Sequence, residues 1–152
     1  QVKHKAIEIT MKHPELCADK NFIAEAAMLH DIGIFLCDAP QIFCYGTHHY
    51  IEHGYLGADI LRKEGFEQHA KVCERHTGIG FTMEKIIEKK LPLPHRDMRP
   101  VSIEEEIICY ADKFFSKSRP DVMNDLDRIR QSIKKHDESN LQYFEAWHAR
   151  FS

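Results

Sequence analysis

His30 and Asp31 stand side by side at the end of an apolar run, FIAEAAMLHD, where a helix should offer only packing surface. Ile23, Ala27, His30 and Asp31 fall at i, i+4, i+7 and i+8, one stripe of a 3.6-residue period, so the pair lies on the inward face. Asp112 repeats the situation in EEIICYADKFF, sharing a stripe with Ile108, Ala111 and Phe115. His53 shares a face with Leu56, Gly57 and Ile60, and His76 shares one with His69, Ala70 and Cys73. Any one of these is most simply a core residue with a single hydrogen-bond partner. Four helices that each turn His or Asp inward point instead to a common centre. A lone carboxylate in a core is strongly disfavoured as a charge. Neither aspartate stripe carries a matching Lys or Arg, so the expected compensation is a cation. Imidazole plus carboxylate is the donor set of Fe, Mn, Zn, Co or Ni, and the sequence does not choose among them.

The elements that must position these residues read as helices, with almost no strand. Residues 1–13 form a helix already under way, and 20–31 form a second, stopped by Gly33. GIFLCDAPQIFCYGT is a loop punctuated by Gly, Asp-Ala-Pro and Gly. Residues 48–64 and 66–76 are two further helices, divided at Gly65 and closed by TGIG. A short helix near 82–90 leads to LPLPHRDMRP, a proline-rich connection. Ser102 and Glu105 form a capping box for a helix over 103–117. Pro120 opens another, with Val122, Leu126, Ile129 and Ile133 on one face. The last helix presents Phe144, Trp147, His148 and Phe151 together, at the spacing of core packing, or of a homodimer surface if nothing in the chain covers it. Without repeats or a long linker, the expected fold class is all-α, a single-domain helical bundle over residues 1–152.

Composition narrows the function classes. A chain of 152 residues buries a real core without staples. Its net charge of −3 and pI near 6.4 argue against a dedicated nucleic-acid binder. No apolar run approaches the roughly 18 residues of a membrane span, and no signal peptide opens the chain. The five cysteines are odd in number and lack a C-x-x-C, as expected of reduced thiols in a cytoplasmic protein. The 11 histidines are the compositional anomaly. The chain starts with Gln rather than Met, so an N-terminal piece is expected to be missing.

In order, HD after an apolar helix, HG opening a helix, RHTG and finally YADK resemble the HD-domain phosphohydrolases over roughly residues 1 to 118, with packing helices over about 119–152. The resemblance implies an all-α bundle of the HD-domain type. It implies that His30, Asp31 and Asp112 hold one metal, and that Asp31 bridges to a second held by His53 and His76. The family's first histidine would lie upstream of Gln1. His4 does not replace it, since at about 100° per residue it points nearly opposite Val2, Ala6 and Ile9. Ile34 occupies a position where many relatives carry Lys.

What the resemblance implies chemically is hydrolysis of a phosphoester or phosphoanhydride in a small, nucleotide-like substrate. Two ions roughly 3.5–4 Å apart share a hydroxide there, Asp31 being the catalytic carboxylate between them. Lys113, Lys117, Arg96 and Arg99 are the candidates to meet phosphate oxygens. The five-residue arrangement is most similar to the bacterial diadenosine tetraphosphate hydrolase branch. A di-iron oxygenase of the same fold and a non-catalytic nucleotide sensor are the alternatives. HYIEH, residues 49 to 53, also matches H-x-x-E-H, a zinc-protease motif, but that reading leaves His30, Asp31, His76 and Asp112 without a role.

Overall fold

Four of the eight α-helices in this chain start on a side chain one residue ahead. Asp19, Thr82, Ser102 and Asp125 each accept a backbone N–H from the turn that follows, satisfying donors that a helix leaves unpaired. The computed structural model describes residues 1–152. It contains α1 (Val2–Lys12), α2 (Lys20–Leu29), a two-residue antiparallel hairpin β1 (Asp38–Ala39) and β2 (Cys44–Tyr45), and α3 (His53–Lys63). α4 (Glu67–Arg75), α5 (Met83–Glu88), α6 (Ile103–Asp112), α7 (Leu126–Asp137) and α8 (Leu141–Phe151) complete it. The architecture is mostly helical, as the sequence pattern predicts. No helix is long and apolar enough to cross a membrane.

The main core joins α1, α2, α6, α7 and α8. Ala6, Ile9, Ile23, Ala27, Ile107 and Ile108 are buried there with Phe144, Trp147 and Phe151. The aromatic C-terminal face is therefore covered within the chain. Tyr110 of α6 stacks on Phe144, with ring centroids 5.5 Å apart, and its hydroxyl pairs with Nδ1 of His148 at 2.9 Å. Each such aromatic contributes about 1.5–3 kcal/mol through burial.

A smaller cluster, Ala58, Leu61, Ala70 and Cys73, holds α3 against α4. The turn after α2 approaches this pair through two glycines. A Cβ on Gly33 would meet the Gly57 nitrogen at 2.3 Å and the His53 carbonyl oxygen at 2.4 Å. One on Gly57 would meet Cys73 Sγ at 2.5 Å. Backbone can come this close only without side chains, and the approach sets the His30-Asp31 turn on top of α3.

Several boundaries depart from the sequence expectation, and α2 ends at Leu29 rather than 31, which leaves His30 and Asp31 in the turn that follows. α6 ends at Asp112 rather than 117, because Asn124 folds back on it. The Asn124 side chain donates to the Lys113 carbonyl at 3.1 Å, and its N–H donates to the Phe114 carbonyl at 2.8 Å. The same tether keeps residues 120–124 out of a helix, so α7 starts at Leu126 and Val122 is exposed. In HYIEH, His49 precedes a 3₁₀ turn, Tyr50–Glu52, rather than lying on a continuous helix. Glu52 caps that turn, accepting from the His49 N–H at 2.6 Å and from the Tyr55 hydroxyl at 2.9 Å. It is committed to structure, which removes the general base of the protease reading.

Candidate metal centre

All three central histidines occupy helix ends, and each uses the same local contact. His30 and His76 follow the last residues of α2 and α4, and His53 follows the 3₁₀ turn. The carbonyl three residues back lies at a helix end, where carbonyls lack a full set of intrahelical partners, and that of Tyr50 also accepts the His53 N–H. His30 Nδ1 lies 2.7 Å from the Ala27 oxygen, His53 Nδ1 2.6 Å from the Tyr50 oxygen, and His76 Nδ1 2.7 Å from the Cys73 oxygen. A carbonyl only accepts, so Nδ1 carries the proton in each ring and Nε2 is turned to the centre. These carbonyls escaped the sequence analysis. The signal was available, since each lies three residues before its histidine.

The Nε2 atoms converge on Asp31. Its Oδ2 is 3.1 Å from His30, and its Oδ1 is 3.4 Å from His53 and 3.3 Å from His76. Asp112 Oδ1 lies 3.5 Å from His30 Nε2. The five residues thus form two overlapping groups, His30, His76 and Asp112, and Asp31, His53 and His76, each with donor atoms within 4.8 Å. The first differs from the expected set, because His76 reaches both groups. His4 is exposed on α1 and takes no part.

The donors fit a metal on two observations. His53 and His76 bring Nε2 atoms to 3.0 Å with both Nδ1 positions already donating. Neutral rings would face lone pair to lone pair, which a shared cation relieves. Ligands at about 2.1 Å from one ion and about 90° apart are spaced about 3.0 Å. Secondly, Asp31 Oδ1 is buried with no hydrogen-bond donor turned to it, a costly state for a polar atom.

Two lysines balance the carboxylates, correcting the expectation that none would. Lys113 Nζ is 3.1 Å from Asp112 Oδ2, and Lys117 Nζ is 2.9 Å from Asp31 Oδ2. Burial disfavours both carboxylates as charges. The His30 imidazole, 3.1 Å away, outweighs it at Asp31, and Lys113 with His30 outweighs it at Asp112, holding both well below the usual range. Burial likewise opposes a charged His30, but Asp112 and Asp31 overcome it and raise its pKa to about 10. At His76 burial prevails, lowering the pKa to about 4.

The arginines are placed elsewhere. Arg96 pairs with buried Glu74. Arg99 donates to Asn140 Oδ1 at 2.9 Å and lies 4.0 Å over the Tyr143 ring. Neither contacts the five central residues, so the lysines alone of the four predicted cations join the site.

The chain is 32% identical over 132 residues to an uncharacterized protein of Methanocaldococcus jannaschii, covering 86% of this chain and 70% of that one. It is 34% identical to part of a tRNA (cytidine(56)-2'-O)-methyltransferase of Picrophilus torridus, over 81% of this chain and 31% of the relative. A protein of the same name from Thermoplasma volcanium is 35% identical, over 76% and 30%. This chain therefore matches less than a third of either methyltransferase. No solved structure matches it. The family model described as the HD domain matches residues 2–116, the stretch that carries all five converging side chains, and the chain belongs to the HD-domain family.

Proposed function

We propose that this protein is a metal-dependent phosphohydrolase acting on a phosphoester or phosphoanhydride of a small, nucleotide-like substrate. The observation that carries the reading is Asp31, whose carboxylate faces three Nε2 atoms at 3.1–3.4 Å and an ammonium at 2.9 Å. His30, His53, His76, Asp31 and Asp112 would hold one or two divalent ions, with Asp31 placed to be shared. When bound, such ions supply Lewis acidity and acidify a water for in-line attack on phosphorus.

The rest of the work falls to side chains of this chain. The backbone carbonyls of Ala27, Tyr50 and Cys73 fix the three imidazoles, so the donors need no reorganisation on binding. Lys113 and Lys117 balance the carboxylates and are placed to turn to phosphoryl oxygens as charge develops there. Ile34 leaves no cation in the turn after Asp31, and Lys117 supplies one from the segment after α6.

Nucleotides are favoured over polynucleotides by the net charge of −3. The two methyltransferase names support a second reading for the substrate, a nucleotide unit within tRNA. Dinucleoside polyphosphates form a further class, although the relatives described above carry no such activity in their names. A screen of metal-replete protein against simple phosphomonoesters, mononucleotides, dinucleoside polyphosphates and tRNA tests the reading. Metal-dependent release of phosphate or nucleotide from one class is expected. No release from any class, with metal bound, would leave a binding or sensor role.

A further inference from the structure

Two cavities meet beside the metal centre, and the smaller is walled largely by residues beyond the family-matched segment. It encloses about 310 Å³ between the end of α6 and the start of α7 and is lined by Lys113, Lys117, Arg119 and Arg128. Asp112 is its only carboxylate. Lys113 is balanced by Asp112 and Lys117 by Asp31. The two arginines have no such counter-charge. Arg119 donates to the neutral Asn124 Oδ1 at 2.8 Å, while exposed Arg128 makes no side-chain hydrogen bond or ion pair. Asn124 is itself tied to the Lys113 and Phe114 carbonyls, so the Arg119 guanidinium is anchored to the end of the helix carrying Asp112.

Like charges gathered around one cavity repel, and a chain of net charge −3 has no general excess of cations to explain them. The guanidinium fork matches phosphate geometry, in contrast to the point charge of lysine. The larger cavity, about 430 Å³, shares Tyr50, Lys113, Ser132 and Ile133 with the smaller one. It continues over Ile51, Ile79, Phe81 and Leu91, which offer an apolar surface to a planar group, with Lys85, Lys89, His136 and Asp137 at its other walls. From Asp112 the path passes the lysines, then leads to arginines in the smaller cavity and to a mixed apolar and charged lining in the larger.

We infer that Arg119 and Arg128 form a subsite for a phosphate adjacent to the one that reacts. The substrate is then a nucleotide with two or more linked phosphates, its nucleoside lying in the larger cavity. The inference rests on the phosphohydrolase reading for the position of the reacting phosphate. A monophosphate held at the lysines has no group left for the arginines.

Calorimetric titration of metal-loaded protein with adenosine, AMP and ADP tests it, with bound metal measured before and after. ADP is expected to bind about tenfold or more tightly than AMP, the equivalent of one charged hydrogen bond. Arg128→Gln and Arg119→Gln should each move ADP affinity toward that of AMP at unchanged metal content. Arg128 touches nothing the fold needs, so its variant keeps the test sound if Arg119→Gln disturbs the loop. Equal affinity for AMP and ADP, binding of neither, or a preference that survives both substitutions would overturn the subsite. An ADP preference without turnover of any phosphoester sinks the hydrolase reading and supports the subsite. Turnover of monophosphates without that preference does the reverse.

Discussion

Lys117 reaches back from the loop after α6 to Asp31, placing its Nζ 2.9 Å from Oδ2 of the carboxylate that three imidazoles also face. The ammonium balances a partly buried charge, and it is the cation best placed to move to a phosphoryl oxygen. Lys117→Met removes no metal donor. The variant should keep its metal and lose about a hundredfold in kcat/KM, the scale of one preorganised donor to developing charge. Metal analysis beside steady-state kinetics checks this; loss of metal in the variant would make Lys117 a support for Asp31 instead.

His30 sets a pH dependence for metal uptake. In the metal-free protein Asp112 and Asp31 outweigh the effect of burial and raise its pKa from 6.5 to about 10, so its imidazole must lose a proton to become a donor. Metal affinity should therefore rise with pH by about tenfold per unit between neutrality and about pH 10. The metal-free fold runs the other way. A raised histidine pKa stabilises fully below 6.5 and that contribution is lost as pH climbs toward about 10. Calorimetry in buffers of different ionisation enthalpy should show net proton release; none would remove His30 as a proton-carrying donor.

Gly33→Ala should damage the site through the backbone. A Cβ there would stand 2.3 Å from the Gly57 nitrogen and 2.4 Å from the His53 carbonyl oxygen, atoms that cannot yield as a side chain does. Separating the turn from α3 should cost about 1–3 kcal/mol and pull Asp31 from His53 and His76. Denaturant unfolding and metal content should fall together. A variant with native stability and full metal would show that the close approach does not position the donors.

Phe144→Ala tests the C-terminal aromatic face. Phe144 is fully buried and stacks on Tyr110, so truncation should cost about 3–5 kcal/mol. A change within a few tenths of a kcal/mol in urea unfolding would contradict its place in the core.

The five converging side chains were legible because helix periodicity, together with the order of HD, HG, RHTG and YADK, singles out His30, Asp31, His53, His76 and Asp112, although the structure gathers them at or just beyond helix ends rather than along helix faces. The mostly helical architecture was legible for the same reason. What escaped was decided by contacts distant in sequence. Asn124 binding the Lys113 carbonyl ended α6 early and overrode Pro120 as a helix start. That ending put Lys117 on a loop, where it turns to Asp31, a partner that a continuous helix over 103–117 did not suggest. The capping box at Ser102 was half realised: Ser102 caps the Glu105 N–H, but Glu105 turns its carboxylate to Arg75 and to the Val101 N–H. Arg96 and Arg99 looked available in a proline-rich loop, yet buried Glu74 and Asn140 claim them.

Metal analysis of purified wild-type protein beside Asp31→Ala is the most direct test of the central claim. The wild type should carry one to two transition-metal ions per chain, in line with two overlapping donor groups, and the variant should carry none. Full metal content in the Asp31→Ala protein would contradict the proposed centre.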